Sequence, residues 1–198
     1  MKEKFLYAKQ LVAALAYIAL HSMDKVVIYG MSDHLVPITT PTLGRGKTLE
    51  VLRALEDAKT FEGTSDFNKA VKTLRQWHPR RGMVITVSDF FFPDGYEEAL
   101  KFLQWNKHEV FCIQAQSQEE RKCLLKGDVE LECVETSKHR KITITGSIAA
   151  AYEQAVKDWN QQLETFCARH GVGLISTTSE IAFDEVIQKI LRRGGLVA

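Results

Sequence analysis

Residues 82–89 read Gly-Met-Val-Ile-Thr-Val-Ser-Asp. The apolar character is nearly continuous, β-branched residues dominate, and Gly82 and Asp89 bound the run. Those features read as a buried β-strand. A strand apolar on both faces belongs to a parallel sheet that helices cover on each side, so this stretch decides for an α/β chain. Its flanks agree. Upstream, Gly63-Thr64-Ser65-Asp66 opens a helix with Phe67, Ala70, Val71, Leu74 and Trp77 on one face, and Pro79 ends it. Downstream, Pro93-Asp94-Gly95 is a turn, Tyr96–Asn106 a helix and Glu109–Ala115 a second apolar strand.

Further out the pattern continues. Near the start, Phe5, Ala8, Val12, Leu15 and Ala19 recur at helical spacing. Lys2 and Lys4 before the apolar stretch imitate a signal peptide, but Lys9 and Gln10 interrupt it and no small-residue cleavage site follows. We read a buried amphipathic helix, too short in its apolar part to span a membrane. Lys25–Met31 is a short buried strand, residues 37–46 form a loop, and Leu49, Leu52 and Leu55 mark a helix. After the Glu109–Ala115 strand the period changes to two: Val129, Leu131 and Cys133, then Ile142 and Ile144, alternate with polar residues. This predicts an antiparallel hairpin over about 128–145. A long helix follows, with Ser147 as N-cap, the stripe Tyr152, Ala155, Trp159, Leu163 and Phe166, and Gly171 as its stop. Val172–Thr177 is the last strand and Phe183, Ile187 and Ile190 mark a closing helix. The whole reads as one domain over residues 1–198, a three-layer α/β sandwich with a mainly parallel sheet. In such sheets the functional crevice lies beyond the carboxyl ends of the strands. Ser32–Asp33, Thr64–Asp66, Ser88–Asp94 and Thr177–Glu180 are the segments that end there.

The 198 residues carry 26 Lys+Arg against 25 Asp+Glu and are 45% hydrophobic, which excludes a mainly disordered chain and argues against a nucleic-acid binder. Cys112, Cys123, Cys133 and Cys167 form no Cys-x-x-Cys pair, as expected for free thiols in a reducing cytoplasm. Cys112, inside an apolar strand, reads as an inert core thiol.

Two motifs bear on chemistry. Gly44-Arg45-Gly46-Lys47-Thr48 resembles the end of a phosphate-binding loop, with Asp89 as the magnesium carboxylate. The glycine that this motif needs five residues before Gly46 is replaced by Pro41, which has no amide proton. Lys47 and Thr48 then simply start a helix. Second, Thr64 and Asp89 offer a hydroxyl and a carboxylate at one sheet edge, a pair suited to magnesium; alternatively Thr64 or Ser65 caps a helix and Asp89 a loop. Phe91 stands where a phosphatase would need its second carboxylate, and no Gly-x-Ser-x-Gly elbow is present.

The segments "YAKQLVAALAYIALHSMDKVVIYGMSD", "GTSDFNKAV", "RGMVITVSDFF" and "HEVFCIQAQSQEE", followed by a hairpin, resemble the bacterial family known as domain of unknown function 58 over about residues 4–192. The resemblance implies a von Willebrand factor A-like fold and a non-enzymatic protein-binding module. It further implies a metal-ion-dependent adhesion site in which Thr64 and Asp89 are ligands. The Asp-x-Ser-x-Ser element of that site is missing, because the sequence begins at the helix that should follow it. Weak Mg2+ binding, no tighter than about millimolar, is therefore the expectation from two ligands. The implied partner is a MoxR-type AAA+ ATPase, in protein assembly or maturation in the cytoplasm. A nucleotide-binding enzyme using Lys47, Thr48 and Asp89 is the alternative.

Overall fold

The computed structural model describes residues 2–59, 65–132 and 139–193. Thr64 and Cys133 lie outside the described residues, as does most of the hairpin tip. Helix α1 is Lys2–His21. Four short strands follow: β1 (Lys25–Val26), β2 (Tyr29–Met31), β3 (Leu35–Pro37) and β4 (Thr42–Leu43). A 3-10 turn over Arg45–Lys47 leads into α2 (Thr48–Asp57), then come α3 (Phe67–Trp77), β5 (Met83–Ser88), α4 (Glu97–Trp105) and β6 (Glu109–Gln116). The chain continues through α5 (Gln118–Arg121), β7 (Gly127–Glu132), β8 (His139–Ile144), α6 (Gly146–His170), β9 (Gly173–Thr178) and α7 (Phe183–Arg193).

The fold is mixed α/β around a three-stranded parallel sheet of order β5-β6-β9. Met83 pairs with Glu109 and Ser88 with Gln114; Phe111 pairs with Gly173 and Gln116 with Thr178. The central strand β6 sorts its side chains by alternation. Val110 and Cys112 enter a core with Phe67, Phe90, Tyr96, Leu100, Leu103 and Leu163, built from α3, α4 and α6. Phe111, Ile113 and Ala115 enter the opposite core with Tyr7, Leu11, Val186, Ile187 and Ile190, built from α1 and α7. Helices thus cover both faces, as the doubly apolar strands require. A third cluster joins the second half of α1 to α2 through Ala16, Leu20, Ile28, Val51 and Leu55.

The antiparallel hairpin stands where alternation places it, with Gly127 opposite Ile144 and Glu132 opposite His139. Several expectations are corrected. Lys25–Met31 is not one strand of the main sheet. It breaks into β1, paired with β4, and β2, paired with β3, because the Ile28 amide donates to Thr39 Oγ1 and its carbonyl accepts from Ile38 and Thr39. The run folds onto the following loop and satisfies its backbone there. Strand β5 is not covered throughout: Met83 is 42% exposed and residues 84–88 are half-buried, because β5 is an edge strand with no partner opposite β6 among the described residues. The caps also move by a residue or two. Asp66, not Thr64 or Ser65, caps α3 by accepting from the Lys69 amide at 2.8 Å. Thr145, not Ser147, caps α6. The buried face of α6 runs through Val156, Leu163 and Cys167 rather than Tyr152 and Ala155, which are exposed.

Candidate functional site

All three parallel strands end at one edge, and the side chains there form a connected polar structure. Strand β5 runs into Asp89 and then Phe90, which has a positive φ of 63° and is fully buried. A bulky residue in the left-handed region is costly and persists only where its surroundings over-determine it. Here the Phe90 amide donates to Ser88 Oγ at 3.0 Å and its carbonyl accepts from Trp159 Nε1 at 3.2 Å. Its ring meets Phe67, Phe92 and Tyr96 edge to face. The reversal sends Phe90 into the core and leaves the preceding carboxylate at the strand end.

Asp89 is held from two sides. Oδ1 accepts from the Phe91 amide at 3.1 Å, and Oδ2 accepts from Lys4 Nζ at 2.7 Å. The same ammonium donates to Glu120 Oε1 at 2.5 Å. Glu120 is fixed in turn by a capping box at the start of α5: its Oε2 accepts from the Ser117 amide while Ser117 Oγ accepts from the Glu120 amide. Lys4 is only 19% exposed and its partners 29% and 30%. Burial works against the Lys4 charge, but attraction to and hydrogen bonds with Asp89 and Glu120 outweigh it, so its pKa stands above the usual 10.5.

Behind this triad lies an uncharged network. Gln114 and Gln116 point from β6 toward α6 and are almost fully buried. Each donates through Nε2 to Asn160 Oδ1, at 2.8 and 3.0 Å, and Asn160 Nδ2 donates to Gln116 Oε1 at 3.1 Å. Ser176 Oγ donates to Gln114 Oε1 at 2.9 Å, and Gln114 Nε2 also reaches the Asp89 carbonyl at 3.4 Å. On the other face Tyr7 OH and Thr177 Oγ1 are 3.0 Å apart, and burial is the main cause that raises the Tyr7 pKa. The amide of Ser179 donates to the Gln116 carbonyl and that of Gln118 to Glu180 Oε1.

Of the four segments expected at this edge, the described parts are linked through contacts. The Asp66 amide donates to the Ser32 carbonyl, and the ring of Phe67 stacks on Phe92 at 4.8 Å. Thr64, the second expected metal ligand, lies outside the described residues. Lys47 and Thr48 do not meet Asp89. Lys47 pairs with Glu50 at 2.8 Å and Thr48 Oγ1 donates to the Arg45 carbonyl. Arg45 itself donates to the carbonyl of His21, at the far end of α1 from Lys4, so about 25 Å of helix separates that turn from Asp89. Cys112 is fully buried, and its hydrogen bond with Cys167, together with burial, pushes its thiol pKa far up.

The sequence reading missed Lys4, Glu120 and the amide network. Lys4 had looked like one of two charges ahead of an apolar stretch. A signal for the network was present: Gln114 and Gln116 sit two apart within an apolar strand, which puts two polar groups on one buried face.

The resemblance implies a magnesium ion at Asp89. The described residues do not fit one. Magnesium needs oxygen ligands, yet the group brought to Asp89 Oδ2 is an ammonium, and among the described residues no three His, Cys, Asp or Glu side chains gather to hold a metal ion. No described helix is long and apolar enough to cross a membrane.

Comparison with solved structures gives the crystal structure of conserved hypothetical protein BatB from Bacteroides thetaiotaomicron. Its TM-score is 0.53 at 13% identity, covering 96% of this chain and 88% of that one. An aerotolerance-related membrane protein from Bacteroides fragilis, crystallised with multiple mutations to serines, gives a TM-score of 0.57 at 9% identity, covering 98% and 89%. At these identities the likeness is one of fold. No curated protein gives a significant match. The model of the family described as protein of unknown function DUF58 matches residues 1–172, most of the length, and the chain belongs to that family.

Proposed function

We propose that the chain is a von Willebrand A-like interaction module, without catalytic activity of its own, that works in the cytoplasm with a MoxR-type AAA+ ATPase in protein assembly or maturation. The observation that carries this reading is the construction of the strand-end edge. What converges there is an ion-paired Asp89 and a set of neutral amides and hydroxyls, all tied to one another. The nearly buried amides hold the strand ends in place, and what the edge presents to solvent is the part-exposed charged triad of Lys4, Asp89 and Glu120, which suits the recognition of a protein partner more than proton transfer. The fold likeness to BatB bears on the α/β architecture of such a module and not on its partner or activity.

The test is direct association. The purified chain is titrated with a MoxR-type ATPase from the same genome, with and without ATP, and binding is followed by calorimetry. Saturable binding that weakens about tenfold or more in Asp89→Ala, a change of about 1.4 kcal/mol, is the expected result, because the substitution removes the central charge of the edge and frees Lys4 from that carboxylate. Absence of binding in every nucleotide state would count against the reading.

A further inference from the structure

We propose that Lys4 is the resident cation of the Asp89 site: its ammonium occupies the position that a divalent ion would need, and the chain takes no magnesium there. The inference stands on the packing of α1, β5 and α5 and is independent of the partner named above.

Three observations converge on it. First, the reach is specific. Lys4 Nζ lies 2.7 Å from Asp89 Oδ2 and 2.5 Å from Glu120 Oε1, and these bonds bridge 85 and 116 residues of sequence. Second, each carboxylate is pre-set by its own backbone bonds: Asp89 by the Phe91 amide, Glu120 by the Ser117 amide within the α5 capping box. Their remaining oxygens, Asp89 Oδ2 and Glu120 Oε1, are the ones that Lys4 takes. Third, Lys4 is carried by a helix that cannot slide. Tyr7 and Leu11, one and two turns on, are buried against β6, β9 and α7, and Tyr7 is hydrogen-bonded to Thr177. The ammonium is thus delivered by the fold and is not a mobile surface charge.

An ammonium on two carboxylates neutralises their mutual repulsion, which is the structural service a divalent ion gives. A magnesium ion would have to displace Nζ and shed some of its own tightly held waters, leaving the part-buried ammonium without its two carboxylates. The exchange is uphill on both counts.

The experiment compares melting temperatures of the wild-type chain, Lys4→Met, Lys4→Arg and Asp89→Asn without and with 10 mM MgCl2, alongside calorimetric titration of the wild type with Mg2+. The wild type is expected to show no heat of binding and a shift under about 1 °C; a millimolar site would give about 3–6 °C. Lys4→Met is expected to melt at least about 3 °C lower in the absence of Mg2+, with Lys4→Arg falling less because it keeps the charge. A wild-type shift of several degrees with Mg2+ that disappears in Asp89→Asn overturns the proposal, as does a Lys4→Met variant that melts like the wild type. If Lys4→Met does not fold, the titration of the wild type decides alone.

Discussion

Lys4 makes a prediction with a definite pH window. Its pKa is raised in the folded chain, so below about 10.5 the ammonium is charged in both states and its stabilisation is complete. As pH climbs past 10.5 the unfolded chain releases the proton first, and the advantage fades through the higher folded value. With about a fifth of the side chain exposed, the contribution lies between surface and buried pairs, about 1–3 kcal/mol. The stability gap between wild type and Lys4→Met, measured by urea unfolding, should be constant from pH 7 to 9 and shrink only above about 10.5. A gap that closes between pH 7 and 9 would contradict the assignment. The amide network gives a second test at this scale. Asn160→Ala removes the acceptor shared by Gln114 and Gln116, both nearly solvent-free, and leaves buried donors without partners. A loss of about 2–4 kcal/mol in urea unfolding is expected, because each buried orphan costs about 1–3 kcal/mol. A loss below 0.5 kcal/mol, taken as roughly the surface-substitution range, would show that the network contributes little.

Elements were legible in proportion to the range of their causes. Helices α3, α4 and α7 and strands β5, β6 and β9 are written in local periodicity, and each stands within a residue or two of its sequence bounds. Helix α1 is the expected helix, but its buried side is Tyr7, Leu11, Ala16 and Leu20, while the stripe Phe5, Ala8, Val12, Leu15 and Ala19 is only half-buried. Lys25–Met31 failed because its composition specifies an extended run but not its partner; the Thr39 hydroxyl and the loop amides capture Ile28 instead. The candidate site was half legible for the same reason. Asp89 ends an obvious strand, while Lys4 and Glu120 reach it from 85 positions upstream and 31 downstream, a separation that no local pattern encodes. Close packing between elements offers a sharp test. A Cβ on Gly173 would lie 2.3 Å from Phe111 Cδ2, the residue paired with it across β6 and β9. Gly173→Ala must push the ring of the central strand aside and should cost about 1–3 kcal/mol. Gly82→Ala, where a Cβ meets nothing within 4 Å, is the control and should change stability by less than about 0.5 kcal/mol. Equal effects of the two substitutions in thermal unfolding would refute the packing argument.

At the scale of the whole molecule, the parallel sheet has two edge strands among the described residues, β5 and β9, and β5 is the one that ends at Asp89. Register with β6 turns the backbone groups of Val84, Thr86 and Ser88 inward, as the bond from the Glu109 amide to the Gly82 carbonyl sets the phase. The N–H and C=O groups of Met83, Ile85 and Val87 therefore face away from β6. Strand β5 holds no charge and no proline, the usual protections of an edge, so strand pairing is the expectation for it. Sedimentation should show concentration-dependent association that Ile85→Lys suppresses; a wild type that stays monomeric at every concentration would contradict this. The same strand ends at Asp89, so the edge and the polar site form one continuous surface. The most direct test of the interaction reading is hydrogen–deuterium exchange of the chain alone and with the ATPase bound. The account predicts that protection concentrates on the strand-end segments 88–92 and 117–121. Protection confined to α2 or the hairpin strands β7 and β8, with those segments unchanged, would contradict it.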